Sequence, residues 1–286
     1  MVVGKADLHN HTTASDGTMP PAAVVARAKA AGLAAVGITD HDTMAGVEEA
    51  LAEGRKLGIT VVPGVELSTV ADGRDIHMLA YYPDWHNALW QERLAGLRET
   101  RGTRNEMIIE RLVQLGIPVT LQEVERIAAE QALAGNGKGK GKTIGRPHIA
   151  ELLIRKGAVA TMAEAFERYL GEGGAAYVNP PRLHPFEAIE WIREAGGTSV
   201  IAHPGLYGRD DLVEHLIGKG VQGIEVYHSD HGPEEERRYA ELARKHGLIM
   251  TGGSDFHGER QGEVFHGEIG SRTVDASVLD QLRNNK

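Results

Sequence analysis

Short apolar runs alternate with helical patterns through the first 84 residues. GKADLH, LAAVGITD, ITVVPGVEL and RDIHMLAYY are predicted strands. PAAVVARAKAAG and TMAGVEEALAEGRKLG carry apolar residues at three- and four-residue spacing and are predicted helices. The alternation resumes at residue 183 with PFEAIEWIREAGG, TSVIAH, RDDLVEHLIGKG, VQGIEVYH, PEEERRYAELARKHG and LIMTGGSD. Strands interleaved with helices predict parallel β-α units, and Gly32, Gly58, Gly220 and Gly247 stand where helices should close. At 286 residues the chain suits one large α/β barrel or two ordinary domains. Residues 85–182 break the rhythm, with helical patterns and no strand. The expected organisation is therefore a barrel from 1–84 plus 183–286, interrupted by an inserted helical lid at 85–182. Within the insert, the glycine- and lysine-rich stretch 135–142 (Lys138, Lys140, Lys142) reads as a loop.

The chemistry collects at the downstream ends of the strands. His9 and His11 follow the first, with Asp16 just beyond; His41 follows the second, Glu66 the third, His203 the fifth, and Asp255 and His257 the seventh. His77 lies inside the fourth. In a (β/α) barrel such ends converge on one face, where catalytic groups sit. Each residue has an ordinary alternative: Asp16 precedes Gly17 as in a turn, and Asp40, Asp42 and Thr43 beside His41 suit a helix cap. His86, His215 and His246, on helical stretches, read as solvated. Glu66 is different, because a carboxylate at a barrel centre needs a partner. Imidazole and carboxylate without sulfur suit Zn, Mn or Fe, and nine such donors exceed what one ion uses. Two or three divalent ions are expected.

Charge and composition narrow the partners. A net charge of −9 argues against a broad basic surface, so no stable nucleic-acid complex is expected. It leaves room for a small phosphorylated substrate, because a metal-loaded site is locally electropositive. There is no cysteine, hence no thiolate ligand or nucleophile. No apolar run reaches membrane-spanning length and MVVGKADLH lacks a signal-like h-region, so no membrane contact and a cytoplasmic location are expected.

ADLHNHTTASDGTMPP, ITDHDTMAG, VPGVELS, VIAHPG and TGGSDFHG resemble the signature blocks of the PHP (polymerase and histidinol phosphatase) superfamily, in the expected order. The resemblance implies a distorted (β/α)7 barrel, two or three metals, most often manganese, and hydrolysis of phosphate esters by in-line attack of a metal-bridging hydroxide. It also implies three ligand sets: His9, His11, Glu66 and Asp255; Asp16, His41 and His203; and His77, His257 with the shared Glu66. The helical insert and GRPHIAELL look most like stand-alone phosphoesterases that act on nucleoside 3′,5′-bisphosphates and trim short RNA from its 5′ end. The expected substrate is thus a small phosphorylated nucleotide or short oligoribonucleotide. Histidinol-phosphate phosphatase and a non-catalytic PHP interaction module are the alternatives.

Further residues are candidates on the substrate side. His228, ending the sixth strand, could protonate the leaving group. Arg146 and His148 open a helix whose N-terminus favours an anion. Arg101 and Arg104 fall on an otherwise apolar helix face; either their charges snorkel outward or they meet a second phosphate.

Overall fold

The computed structural model describes residues 2–134, 143–260 and 262–284; the lysine-rich stretch 135–142 lies outside them. The first strands and helices fall where the pattern puts them: β1 (Lys5–Asp7), α1 (Pro21–Ala30), β2 (Ala35–Ile38), α2 (Val47–Leu57), β3 (Thr60–Ala71) and β4 (Arg74–Tyr81). The insert supplies α3 (Ala88–Gln114), α4 (Leu121–Ala134), α5 (Arg146–Arg155) and α6 (Met162–Ala165), the last running into a π-helical turn, Phe166–Leu170. Then come α7 (Pro185–Glu194), β5 (Thr198–Ile201), α8 (Asp210–Gly218), β6 (Gly223–His228), α9 (Pro233–His246) and β7 (Ile249–Gly253). The pattern gave no sign of the short closing elements β8 (Glu259–Arg260), β9 (Glu263–Val264), β10 (Val274–Asp275) and α10 (Val278–Asn284). Among the described residues no helix is long and apolar enough to cross a membrane.

The main sheet runs β10-β1-β2-β3-β4-β5-β6-β7. It curls until its ends meet: the Leu8 amide donates to Gly252 O at 3.0 Å and the Asp255 amide to His9 O at 2.9 Å. The result is a nearly closed, distorted seven-stranded barrel with β10 added antiparallel to β1. Its interior is filled by Ala6 and Leu8, Val62, Leu79 and Tyr81, Val200 and Ile249, and α10 packs Val278, Leu279 and Leu282 against the same cluster. The Tyr81 hydroxyl reaches across to Leu8 O at 3.1 Å. Outside, α7, α8 and α9 bury apolar faces against β3, β4, β5 and β6.

One strand departs from the parallel expectation. β4 is antiparallel to both β3 and β5. Asp72 and Gly73 alone join β3 to β4, with φ of 51° and 77°, the left-handed pair a two-residue hairpin requires. A parallel crossover needs a dozen or more residues, so this connection forces reversal. The consequence for the site is direct: the rim is reached in the first half of β4, where His77 sits.

The insert has its own cluster, built by Ile108, Ile109 and Leu112 of α3, Val124 and Ile127 of α4, and Ile149, Leu152 and Leu153 of α5. α3 joins it to the barrel, because Trp90, Leu94 and Leu97 at its other end belong to the barrel's outer cluster. Apolar packing therefore crosses the boundary expected at residue 84.

Candidate metal centre

All nine sequence-selected donors come together on the barrel rim. Glu66 of β3 is their hub. Its Oε2 lies 3.4 Å from His9 Nε2, 3.2 Å from His11 Nε2 and 3.0 Å from His41 Nδ1. Its Oε1 lies 2.8 Å from His77 Nδ1 and 2.9 Å from His203 Nε2. Asp255 closes the first group, its Oδ1 3.1 Å from His11 Nε2 and 3.4 Å from His9 Nε2. Asp16 faces His257 Nε2 at 3.5 Å and His41 Nε2 at 3.9 Å.

These contacts sort the donors differently from the sets expected. His257 groups with His11, Asp16 and His41, whereas His203 stands on Glu66 beside His77, ring centroids 5.2 Å apart. His203 and His257 have exchanged places. Sequence order cannot resolve this, because both leave the same rim and only the curl of the barrel decides which neighbour each one meets.

Local backbone conformation presents the donors. Asp255 has φ 53° and His203 φ 24°, conformations that cost energy and cluster at functional sites. Asp40 pins the loop that carries Asp16: it accepts from the Thr12 amide at 2.8 Å, the Ser15 amide at 3.1 Å and the Ser15 hydroxyl at 2.6 Å. Gly253 admits His9, since a Cβ there would come within 2.3 Å of His9 Cβ. Likewise a Cβ on Gly145, just before α5, would lie 2.5 Å from Asp16 Oδ2, so the insert abuts the cluster.

The electrostatics identify what this cluster suits. Burial would raise Glu66, but His41, His77 and His9 outweigh it and hold its carboxyl well below the usual range. Burial would lower His11, yet Asp255 and Glu66 push it up to about 10. For His203 burial wins over Glu66, bringing it down to about 4. His41 Nδ1 and His77 Nδ1 stand within hydrogen-bond distance of Glu66 but without hydrogen-bond geometry, and Asp16 Oδ1, Asp255 Oδ1 and His203 Nδ1 also have no hydrogen-bond partner. Four-donor sets, His9, His11, Glu66, Asp255 and His11, Asp16, His41, His257, each keep all ligand atoms within 4.8 Å. Such donors fit divalent cations.

Beside the cluster lies a cavity of about 300 Å³. Asp16, His41, Glu66, His77, His203, Asp255 and His257 form its floor, and Arg101, Arg104 and Arg146 form one wall. Arg101 and Arg104 are 4 and 2 % exposed, so their charges do not snorkel outward. Arg101 is tied to Asp42 Oδ2 at 3.1 Å and to the Ser68 hydroxyl. Arg146 is tied to Asp75 Oδ2 at 2.8 Å. Arg104 is the most buried of the three, and its Nε and Nη2 have no hydrogen-bond partner. Burial, then repulsion from Arg146 and Arg101, lowers its pKa well below normal.

Two sequence expectations are displaced. His148 is fully buried and does not line the cavity; its Nδ1 accepts the Gly145 amide at 3.1 Å and so closes the first turn of α5. His228 is also fully buried, with Nε2 3.4 Å from Asp255 Oδ2, and is not a lining residue. The cavity presents His266 instead, whose Nδ1 is 2.5 Å from Asp230 Oδ2. The sequence reading passed over His266, Asp75 and Glu225. Glu225 alone left a signal, as a carboxylate inside the apolar run VQGIEVYH.

A PHP domain family model matches residues 7–170, more than half of the chain. The chain belongs to the PHP family. Among similar proteins, the Escherichia coli 5′-3′ exoribonuclease Rnm is 37% identical over 258 residues, covering 88% of this chain and 84% of its own. The 3′,5′-nucleoside bisphosphate phosphatase of Chromobacterium violaceum is 36% identical over 270 residues, covering 92% and 91%. A Bifidobacterium adolescentis crystal structure, assigned to a metal-dependent phosphoesterase, superposes with a TM-score of 0.84 at 34% identity, covering 97% of this chain and 94% of that one.

In this PHP chain, Glu225 of β6 faces His9 Nδ1 with both carboxylate oxygens at 3.1 Å and accepts the His203 amide at 2.9 Å. A carboxylate on the rear nitrogen fixes the tautomer and would aim Nε2 at a bound ion. Glu225→Gln should weaken divalent-cation binding, read with Mn²⁺ as the probe, by about 10- to 100-fold while leaving the fold intact by circular dichroism. Equilibrium dialysis showing wild-type affinity would remove Glu225 from that role.

Proposed function

We propose that this PHP protein, a metal-dependent phosphoesterase, hydrolyses the 3′-phosphate of nucleoside 3′,5′-bisphosphates and the 5′-terminal linkage of short RNA. The observation that carries the substrate reading is Arg104: a buried guanidinium with two unpartnered nitrogens, beside a nine-donor cluster and facing the same cavity. A substrate with one phosphate needs only the cluster. A second anion satisfies the arginine wall, and the two named relatives support a nucleotide.

His9, His11, Glu66 and Asp255 would hold one ion, Asp16, His41 and His257 a second, and Glu66, His77 and His203 a third, with Mn the expected metal. When bound, such ions activate water for attack near neutral pH and offset charge on the phosphoryl oxygens. The arginine wall then orients the substrate, with Arg104 and Arg146 taking the phosphate that is not cleaved. His266 is placed to protonate the leaving oxygen. Asp230 holds its Nδ1 at 2.5 Å, which would orient the ring for that role.

Two measurements test these roles. Arg104→Leu should raise KM for adenosine 3′,5′-bisphosphate well above its effect on 4-nitrophenyl phosphate, without lowering Tm, because burial and repulsion from Arg146 and Arg101 disfavour this guanidinium in the free protein. Equal changes on both substrates would exclude Arg104 from substrate selection. His266→Ala should cut kcat for the bisphosphate by about 100-fold or more, yet barely alter turnover of 4-nitrophenyl phosphate, whose leaving group needs no proton. A uniform loss would show that His266 supports the metal cluster instead.

A further inference from the structure

The cavity has a third wall that neither the cluster nor the arginines explain. Phe166 and Phe265, far apart in sequence, both line it. The chain has four phenylalanines; Phe256 is buried and Phe186 packs against the barrel's outer cluster. The two in the cavity are partly open to it. Their rings stack on each other with centroids 5.9 Å apart and planes 27° apart, too close to admit a base between them, so a base would have to stack on an outer face of the pair.

Backbone irregularities place both rings. Phe166 begins the π-helical turn, whose i→i+5 bond from the Gly171 amide to Phe166 O is 2.7 Å; such turns recur at functional sites. His266 has φ 64°, and this turn of the chain lets the consecutive side chains Phe265 and His266 both reach the cavity. The surface also adjoins both charged walls. The Arg146 guanidinium lies 5.9 Å from the Phe166 ring centre, and the His257 imidazole stands edge-on to Phe265 at 6.0 Å. A phosphoryl group on the cluster has this aromatic surface as its neighbour.

We propose that Phe166 and Phe265 form the seat for the nucleobase of the substrate. The proposal rests on the nucleotide reading above and adds that the base itself is recognised, by stacking rather than by edge hydrogen bonds. Stacking tolerates any base, so weak discrimination between purines and pyrimidines is expected. The ordinary role for Phe166 is packing, since it touches the insert's cluster; packing alone predicts lost stability without lost base recognition.

The test compares binding of adenosine 5′-monophosphate and ribose 5-phosphate to Mn²⁺-loaded protein by calorimetry. Wild type should bind the nucleotide more tightly. Phe265→Ala should weaken nucleotide binding by about 10-fold, within the roughly 5- to 150-fold that a lost stack produces, and leave ribose 5-phosphate unchanged. Phe265→Trp should retain the preference, and Phe265→Leu, which keeps apolar volume without a ring face, should lose it. Equal wild-type affinities for the two probes, or equal losses on both, would overturn the proposal. Binding needs no turnover, so a protein that prefers the nucleotide but cleaves no bisphosphate would refute the bisphosphate reading alone.

Discussion

A single carboxylate, Glu66, itself buried, contacts five imidazoles at the floor of the cavity. Taking charged groups out of solvent costs several kcal/mol for each ion even after relaxation. With Asp16 and Asp255 beside it, three carboxylates share that interior. Protons on a few histidines offset the charge only in part, because His41 and His203 are themselves pushed toward neutrality by burial. Divalent cations would offset it and would use donor atoms that have no hydrogen-bond partner.

The fold serves this constraint. Parallel strands bring separate donors to one rim, the hairpin at Asp72–Gly73 reverses β4 so that His77 enters from its beginning, and the seam between Leu8–His9 and Gly252–Asp255 closes the ring. Carboxylates that do not face the cavity hold the ones that do: Asp40 clamps the Asp16 loop, Asp7 accepts the Ser254 and Gly270 amides at 3.0 and 2.8 Å, and Glu225 aims His9. The insert then adds what the rim lacks. α3 and α5 carry arginines over the cluster, and the π-helical turn brings an aromatic face beside them.

The convergence of the nine candidate donors is legible in the sequence because each is a metal-ligand type placed at or near the rim end of an apolar run, and the strand rhythm says where those ends meet. The direction of β4 is legible too, in the Asp72–Gly73 pair between two apolar runs, a hairpin signal. Other features depend on tertiary geometry. Whether His203 or His257 joins Asp16 follows from barrel curl. That His148 closes a turn while His266 reaches the cavity follows from how α5 and the β9–β10 connection pack. Arg101 and Arg104 left an even choice on periodicity alone, since helical spacing fixes a face without saying whether that face meets solvent or a cavity.

The cluster's need for countercharge is tested most directly by counting bound metal. Protein dialysed against Mn²⁺, freed of loose ions and analysed by inductively coupled plasma mass spectrometry should hold two to three ions per chain, and its Tm should rise on loading. Fewer than two ions per chain, with an unchanged Tm, would contradict the account.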